Sequence, residues 1–515
     1  MKRALLGVTL LLTFFAAKPA NATGTQQLLV QTTLGTPAIR LVCLLTGCQV
    51  SQSLTGSPNN FFLLSFPGSA NITSLESILQ NIGGILNVTV VGGSENPVGN
   101  RYIVRTTGGL LNLPLLCKLG LCSTIQSIDG AGNQLFLLTG PSSQSPNLIL
   151  SILEDLPGVV DAELDQIINV STGGAQATTP PPSLVNTTPV QYYGSTAWSG
   201  YVNQPATELI NLAQAQQEFN VSGAGIIADI DTGVDPNHPV LVPVLLQGYD
   251  FTRNQPGGSE MNDLPAGTPA PESPCVNCTP GQVNQHSIAM VDQHSIAMVD
   301  QPGYQDFGHG TMVAGILHLV APTAKLMPLK AFAPDGTGNL SNILRAIYYA
   351  SQNNVNIVNM SFDMTSPSQE LATAINAGEK NGIVFVASAG NDGEMEMVYP
   401  AGLANVLGVA STNYQDQRSS FSNYGDQIVW VAAPGEAVVT TYPFGTYAAG
   451  WGTSFSAPMV SGGVDLIETV KPAVSEMQAA YAIGQAQYLL AIGMGNGRID
   501  LFRALAASGQ QPGGL

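Results

Sequence analysis

Charged side chains are scarce in this 515-residue chain: 16 Lys and Arg and 34 Asp and Glu make up 10% of it. The net charge of -18 argues against nucleic-acid and anionic-membrane partners and for a soluble exported protein. Long apolar runs are also lacking. The run from Ala4 to Ala17 is about 14 residues, short of the about 20 that span a bilayer. Lys2 and Arg3 precede it and Ala20-Asn21-Ala22 follows it, the pattern of a cleavable export signal. Residues 1–22 are therefore read as a signal peptide, with Thr23 first after export and the product secreted and extracellular. No cysteine sits at the cleavage point, which argues against a lipoprotein.

Cysteine is limited to six residues in three close pairs: Cys43 and Cys48, Cys117 and Cys122, Cys275 and Cys278. An even count in an exported chain favours local disulfides. Residues five apart in an unbroken helix have Cα atoms about 8 Å apart, beyond the roughly 7 Å a bridge allows. Gly47 and Gly120 lie between the partners and could end a helix there. Bridging of those pairs is therefore expected.

Two segments of the N-terminal region repeat at an offset of about 74 residues, counted along the printed chain. The offset carries Leu28-Leu29-Val30-Gln31-Thr32-Thr33 to Tyr102-Ile103-Val104-Arg105-Thr106-Thr107. It also carries Cys43 to Cys117, Cys48 to Cys122, Phe62 to Phe136, Ile78-Leu79 to Ile152-Leu153 and Gly84 to Gly158. Each copy reads as strand, short helix, strand, strand, helix, strand. In the first copy these span 27–33, 38–45, 49–54, 60–66, 72–82 and 85–91. Ile72, Leu75, Ile78, Leu79 and Ile82 mark one buried face of the longer helix. That order is a split βαβ, ferredoxin-like α+β unit. The units are assigned to 23–98 and 99–168. A linker rich in Thr, Pro and Gly, including Pro180-Pro181-Pro182, is assigned to 169–190.

From 191 to 508 apolar strands alternate with helices. Strands are expected at 225–230, 355–360, 383–388, 406–411 and 428–433, and helices at 311–319, 340–352 and 369–381. Strands without polar alternation, separated by helices, predict an α/β fold with a doubly wound, mostly parallel sheet covered on both faces. Sites in such sheets form at the carboxyl ends of strands. Residues 252–308 form an insertion rich in Pro, Gly, Asn and Gln. It contains a tandem octapeptide, Gln285 to Asp292 and Gln293 to Asp300, read as a neutral slipped duplication on the surface.

Three segments bear what a hydroxyl nucleophile needs, a base to take its proton and an acid to hold that base. They are Asp231-Thr232-Gly233-Val234 after an apolar strand, Gly308-His309-Gly310-Thr311 opening a helix, and Gly452-Thr453-Ser454-Phe455-Ser456-Ala457-Pro458 opening another. These segments resemble, in the same chain order, the three signatures of the subtilisin-like serine peptidases (subtilases, peptidase family S8). The resemblance covers roughly 195 to 507 and includes Gly495-Asn496-Gly497-Arg498-Ile499-Asp500.

The resemblance implies a secreted serine endopeptidase that acts on polypeptides through an acyl-enzyme. Asp231 would orient the base, His309 would be base and then acid, and Ser454 would be the nucleophile. Asn391, in Ser388-Ala389-Gly390-Asn391-Asp392-Gly393, would join the Ser454 backbone N–H in an oxyanion hole. Ser361, Phe362 and Asp363 would pair with extended substrate, and Ala387, Ser388, Ala389 and Gly390 would form a second pocket wall. Asp363 stands where the family has glycine, so an altered preference at the residue before the scissile bond is expected.

Other candidates are set aside. Asp229 shares a strand face with Asp231 but lacks the following Thr-Gly. Ser456 lies about 200° around a helix from Ser454. His238 and His318 are expected to be structural. Cys275, Cys278, His286 and His294 could be drawn as a zinc set, but the histidines are eight apart, outside the usual spacing. No cofactor is required and no metal ligand set is legible, although structural calcium is frequent in the family.

The family also implies a propeptide of βαββαβ form. The stretch from Gly158 to Asp165 resembles its last strand, so the two units are read as propeptide-like intramolecular inhibitors. The second is favoured, with autocleavage between Gln166 and Gln191 and a monomer afterwards. Acid-active carboxyl relatives would need Glu as base and Asp at the oxyanion position, against His309 and Asn391. A catalytically dead exported binding or inhibitory protein is the other rival, against which the complete motifs stand.

Overall fold

The computed structural model describes residues 25–54, 60–67, 75, 78–83, 85–91, 100–118, 120–142, 144–170, 181–265, 288–290 and 303–509. The signal peptide, Cys275, Cys278, His286, His294 and most of the octapeptide pair lie outside them. Contacts divide the chain into two units, Met1–Asp165 and Gln166–Leu515. Among the described residues no helix is long and apolar enough to cross a membrane.

The first unit holds two four-stranded antiparallel sheets of identical strand order. One runs Gln49–Leu54, Asn60–Pro67, Thr25–Thr32, Ile85–Val91; the other runs Thr124–Ser127, Leu135–Thr139, Arg101–Thr106, Val159–Leu164. The 74-residue offset holds at the level of register: Leu28 pairs with Leu64 and Tyr102 with Leu138, Val30 with Val88 and Val104 with Ala162. An irregularity falls between Gln31 and Thr32 in one copy and between Arg105 and Thr106 in the other. Buried residues correspond too, Leu28, Ile39, Phe62, Leu75 and Leu79 matching Tyr102, Leu113, Phe136, Ile149 and Leu153. The helix Thr36–Thr46 stops at Gly47, whose φ of 77° turns the chain back. Cys43 and Cys48 then come to a Cα separation of 4.4 Å and are bridged. Gly120, at φ 75°, does the same for Cys117 and Cys122, bridged at 4.2 Å.

The second unit is built on an eight-stranded sheet. Its order is Gln255–Pro256, Tyr249–Asp250, Lys325–Lys330, Ile226–Asp231, Ile357–Met360, Val384–Ser388, Val406–Thr412, Val431–Pro434. From Tyr249–Asp250 to the far edge the pairings are parallel. The chain leaves Ile226–Asp231, passes through the helix His309–Val320 and returns as its neighbour on one side. It then crosses by Leu340–Gln352 to the neighbour on the other side. Right-handed crossovers in opposite directions put these helices on opposite faces. The reversal opens a crevice at the carboxyl end of Ile226–Asp231.

The helices His309–Val320 and Thr453–Val470 pack on each other and on the sheet. Between them and the strands lies a core that includes Ile227, Val386, Val409, Met312, Ile316, Val460 and Val464. The Thr453–Val470 helix is buried from Thr453 to Glu468, as a helix at the centre of a domain must be.

Two parts of the unit depart from the sequence reading. Lys325–Lys330 was not expected as a strand, because Pro328 interrupts it and lysines end it. Ile167–Val170, half of it assigned to the linker, is a strand antiparallel to Thr337–Asn339 on one side and to Phe362–Asp363 on the other. Of the assigned linker, 171–180 lies outside the described residues, and Pro189–Tyr192 forms a hairpin with Ser195–Trp198.

Candidate active site

Asp231 ends its strand on the face covered by the two buried helices, which it shares with Ile227 and Asp229. Its Oδ1 accepts from the Thr232 N–H at 2.6 Å. Its two carboxylate oxygens lie 2.8 and 2.9 Å from His309 Nδ1. His309 opens the helix that follows Gly308, a cap residue at φ 94°. A side chain on Gly310 would put its Cβ 2.0 Å from the Gly233 carbonyl oxygen. The Gly-His-Gly pattern is thus what lets the helix start touch the Asp-Thr-Gly turn.

Burial alone would depress the imidazole. The Asp231 charge and hydrogen bond, with Asp306 and Asp229 behind them, outweigh it and raise His309 to about 9. Asp229 is pushed well above the carboxylate range by burial and by the Asp231 charge. It accepts from Asn359 Nδ2 at 2.9 Å, and Asn359 also bonds Ser361 and Ser461. Asp229 therefore belongs to a polar network under the site.

Ser454 is the second residue of its helix. Four residues on, Pro458 lacks the N–H that would bond the Ser454 carbonyl, and the Ser361 hydroxyl donates to that oxygen instead at 3.1 Å. The Ser454 hydroxyl donates to the Ser361 carbonyl at 3.3 Å. His309 Nε2, buried, has no hydrogen-bond partner among the described residues. The helix start that carries Ser454 thus lies beside His309, with the Phe455 ring 5.7 Å from the imidazole, but His309 Nε2 and the Ser454 hydroxyl are not hydrogen-bonded. The serine occupies a rotamer turned to Ser361, one of the three wells open to it.

Buried Asn391 accepts at Oδ1 from the Thr453 N–H and hydroxyl, both at 2.9 Å. This commits its oxygen and leaves its NH2 as the end able to donate. Phe362 and Asp363 form the short strand next to Ile167–Val170. Ala387 and Ser388 end a sheet strand and continue into Ala389 and Gly390, and Ser388 Oγ donates to the Phe362 carbonyl at 3.4 Å. The Asp363 carboxylate crosses between these two segments: Oδ2 lies 3.0 Å from where a Gly390 Cβ would stand.

Ser456, His318 and His238, also set aside by sequence, bond to other groups. Ser456 Oγ donates to the Ala433 carbonyl at 3.0 Å. His318 Nδ1 lies 3.1 Å from the Tyr201 hydroxyl, and burial lowers it to about 4. His238 lies between Thr446 and Val240. Among the described residues no three His, Cys, Asp or Glu side chains are gathered as a metal would require.

The sequence reading missed Glu260, fully buried beneath the Asp231–His309 pair. Burial pushes it up to about 8 against the pull of Thr311, Lys330 and Gly308. Its insertion was read as neutral, and the one available signal was a pair of acids close in sequence, Glu260 and Asp263, in a chain poor in charge.

Comparison with known proteins agrees with this architecture. Residues 223–495 match the subtilase family, Peptidase S8. Subtilisin BL from Lederbergia lenta is 37% identical over 187 residues, 34% of this chain and 69% of that protein. Thermitase from Thermoactinomyces vulgaris is 32% identical over 279 residues, 52% of this chain and 84% of that protein. Fervidolysin from Fervidobacterium pennivorans, a keratinolytic enzyme related to subtilisin, has the same fold at a TM-score of 0.60 and 19% identity. The match covers 81% of this chain and 62% of that one. The protein is a serine-type endopeptidase. The chain belongs to the subtilase family.

Proposed function

We propose that Asp231, His309 and Ser454 are the catalytic triad of this endopeptidase, and that Asn391 and the Ser454 backbone N–H form its oxyanion hole. The observation that carries the reading is the contact of His309 Nδ1 with both Asp231 oxygens, at 2.8 and 2.9 Å. A proton held on Nδ1 leaves Nε2 as the base. The Ser454 hydroxyl swings from Ser361 to Nε2 and gives up its proton as Oγ attacks the peptide carbonyl carbon. The oxyanion so formed is held by the two donors. The C–N bond then breaks as His309 protonates the departing amine, leaving the acyl-enzyme. Water repeats the sequence on that ester and restores the serine proton. Ser361 to Asp363 and Ala387 to Gly390 are the walls of the substrate cleft.

The same reading makes the chain a secreted, inactive precursor and its two repeated units ferredoxin-like propeptide units. Support comes from Ile167–Val170, which lies extended between Thr337–Asn339 and Phe362–Asp363 as a substrate strand would. Ile168 and Val170 are 1% and 2% exposed, whereas Asn169 and Ile167 face outward. The cleft therefore selects apolar side chains at two alternate positions. Asn169 pairs with Asp363 and Val170 with Phe362. Ser171 follows this strand directly in sequence, and self-cleavage is assigned to the Ser171–Thr172 bond. Fluorophosphonate labelling tests the triad: wild type is labelled and Ser454→Ala is not. Absence of label in the mature wild-type protein overturns the reading. Sequencing the mature N-terminus tests the processing point.

A further inference from the structure

We propose that Glu260 is a positioning residue for the Asp231–His309 pair, supplied by a loop outside the three signature segments. The proposal rests on the triad reading above. Glu260 follows the strand Tyr249–Asp250 and the edge strand Gln255–Pro256, and is fully buried. Its Oε2 accepts from the Thr232 hydroxyl at 3.1 Å and the Gly308 N–H at 2.9 Å. Its Oε1 accepts from the Thr311 hydroxyl.

These three donors flank the two residues of the pair. Thr232 follows Asp231 and holds Asp231 Oδ1 through its own N–H. Gly308 and Thr311 bracket His309 at the start of its helix. One carboxylate therefore ties the strand end that carries the acid to the helix start that carries the base.

The donor pattern calls for a carboxylate in particular. The Thr232 hydroxyl already accepts from the Gly310 N–H at 2.9 Å. The Thr311 hydroxyl already accepts from the Asp235 N–H at 2.7 Å. Each threonine thus has its own proton to give, and with the Gly308 N–H three donors converge on one group. Once ionised, above its titration near 8, the side chain is acceptor-only and satisfies all three. The loop itself is held from outside the pair. Lys330 Nζ, buried, donates to the Thr232 and Phe332 carbonyls and to Asp263 Oδ2, and Arg253 pairs with Asp250 and Asp263.

The test compares wild type with Glu260→Ala, Glu260→Gln and Arg253→Ala, each burst-titrated so that kcat is expressed per active site. A role confined to folding lowers the number of sites; positioning lowers turnover at each. Loss of all three bonds should lower kcat per site about 100-fold for Glu260→Ala, with KM within about twofold. Glu260→Gln keeps the length and two acceptor positions, so the loss should be about 10-fold. Arg253→Ala loosens the same loop without touching Thr232, Gly308 or Thr311, and should leave kcat per site within about twofold. Should a variant remain an unprocessed precursor, its single-turnover self-cleavage rate should show the same factor. Wild-type kcat per site in both Glu260 variants overturns the proposal. Failure of the triad reading would look different: Ser454→Ala would still cleave peptide.

Discussion

The two repeated units share strand order, register, the position of one irregular step and a bridged helix end. They differ in the residues just after their last strand. After the second comes Gln166-Ile167-Ile168-Asn169-Val170, in which Ile167–Val170 is a strand paired with Phe362–Asp363. At the same offset after the first comes Gly92-Gly93-Ser94-Glu95-Asn96. Glycine, serine and asparagine are poor strand formers, and none of these residues could fill an apolar pocket. On the proposed reading a duplicated fold does not carry a duplicated function, and the capacity to occupy the cleft lies in a few residues just beyond the fold.

Loss of the Ser454 hydroxyl tests that comparison most severely. Ser454→Ala should lower kcat and self-cleavage by about 10⁶-fold, a scale inherited from subtilisin, the worked case behind the figure. Mass spectrometry should then find both units still attached, whereas the wild-type mature protein should begin at Thr172. A mature chain that retains the second unit and begins between the two copies would reverse the roles assigned to them.

A smaller effect separates the copies directly. Ile168→Asp puts a carboxylate where 1% of the side chain is exposed, and should slow self-cleavage by about 100-fold. Ser94→Asp, the same position in the first copy, should change it by less than about twofold. Equal slowing by both substitutions, followed on a denaturing gel, would show that the first copy also acts through its downstream segment.

How far these features were legible in sequence depended on whether a local rule carried them. The triad candidates and Asn391 stand in motifs whose glycines and proline have local causes, such as the close approach at Gly310 and the freed Ser454 carbonyl before Pro458. The duplication was legible because insertions have not blurred its offset. Lys325–Lys330 was not, since Pro328 and two lysines break the strand pattern and only the fold shows Lys330 neutralised by Asp263. Glu260 was invisible for a similar reason, because its three donors lie up to 51 residues away in sequence. Ile167–Val170 was half lost to the linker, being four residues whose partners lie far along the chain.

The pH dependence of self-cleavage offers a milder test. All five histidines, 238, 286, 294, 309 and 318, lie after the repeated units. Neither copy can therefore add a histidine titration of its own. A base must be unprotonated, and His309 is raised to about 9. Self-cleavage and peptide kcat/KM should both rise about tenfold per pH unit and level off near pH 9. Asp231→Asn removes the charge that raises His309, so in its residual activity the inflection should move to lower pH. Different inflections for self-cleavage and peptide cleavage would assign a titrating role to the units themselves.

The smallest expected effect concerns the residue opposite Asn169. Asp363 pairs with Asn169, and its carboxylate reaches across to Gly390 on the other wall. On the proposed reading a side chain in that place would narrow the mouth of the pocket that receives the residue before the scissile bond and favour small side chains there. Ser171, the residue assigned to that pocket during self-cleavage, is small. Asp363→Gly should therefore raise kcat/KM for peptides with Phe at that position, relative to Ser, by about tenfold, the scale of one added pocket contact. Self-cleavage at Ser171 should stay within about twofold, because serine never met the obstruction. An unchanged Phe-to-Ser ratio would remove Asp363 from specificity and leave the preference of the cleft to the pockets that hold Ile168 and Val170.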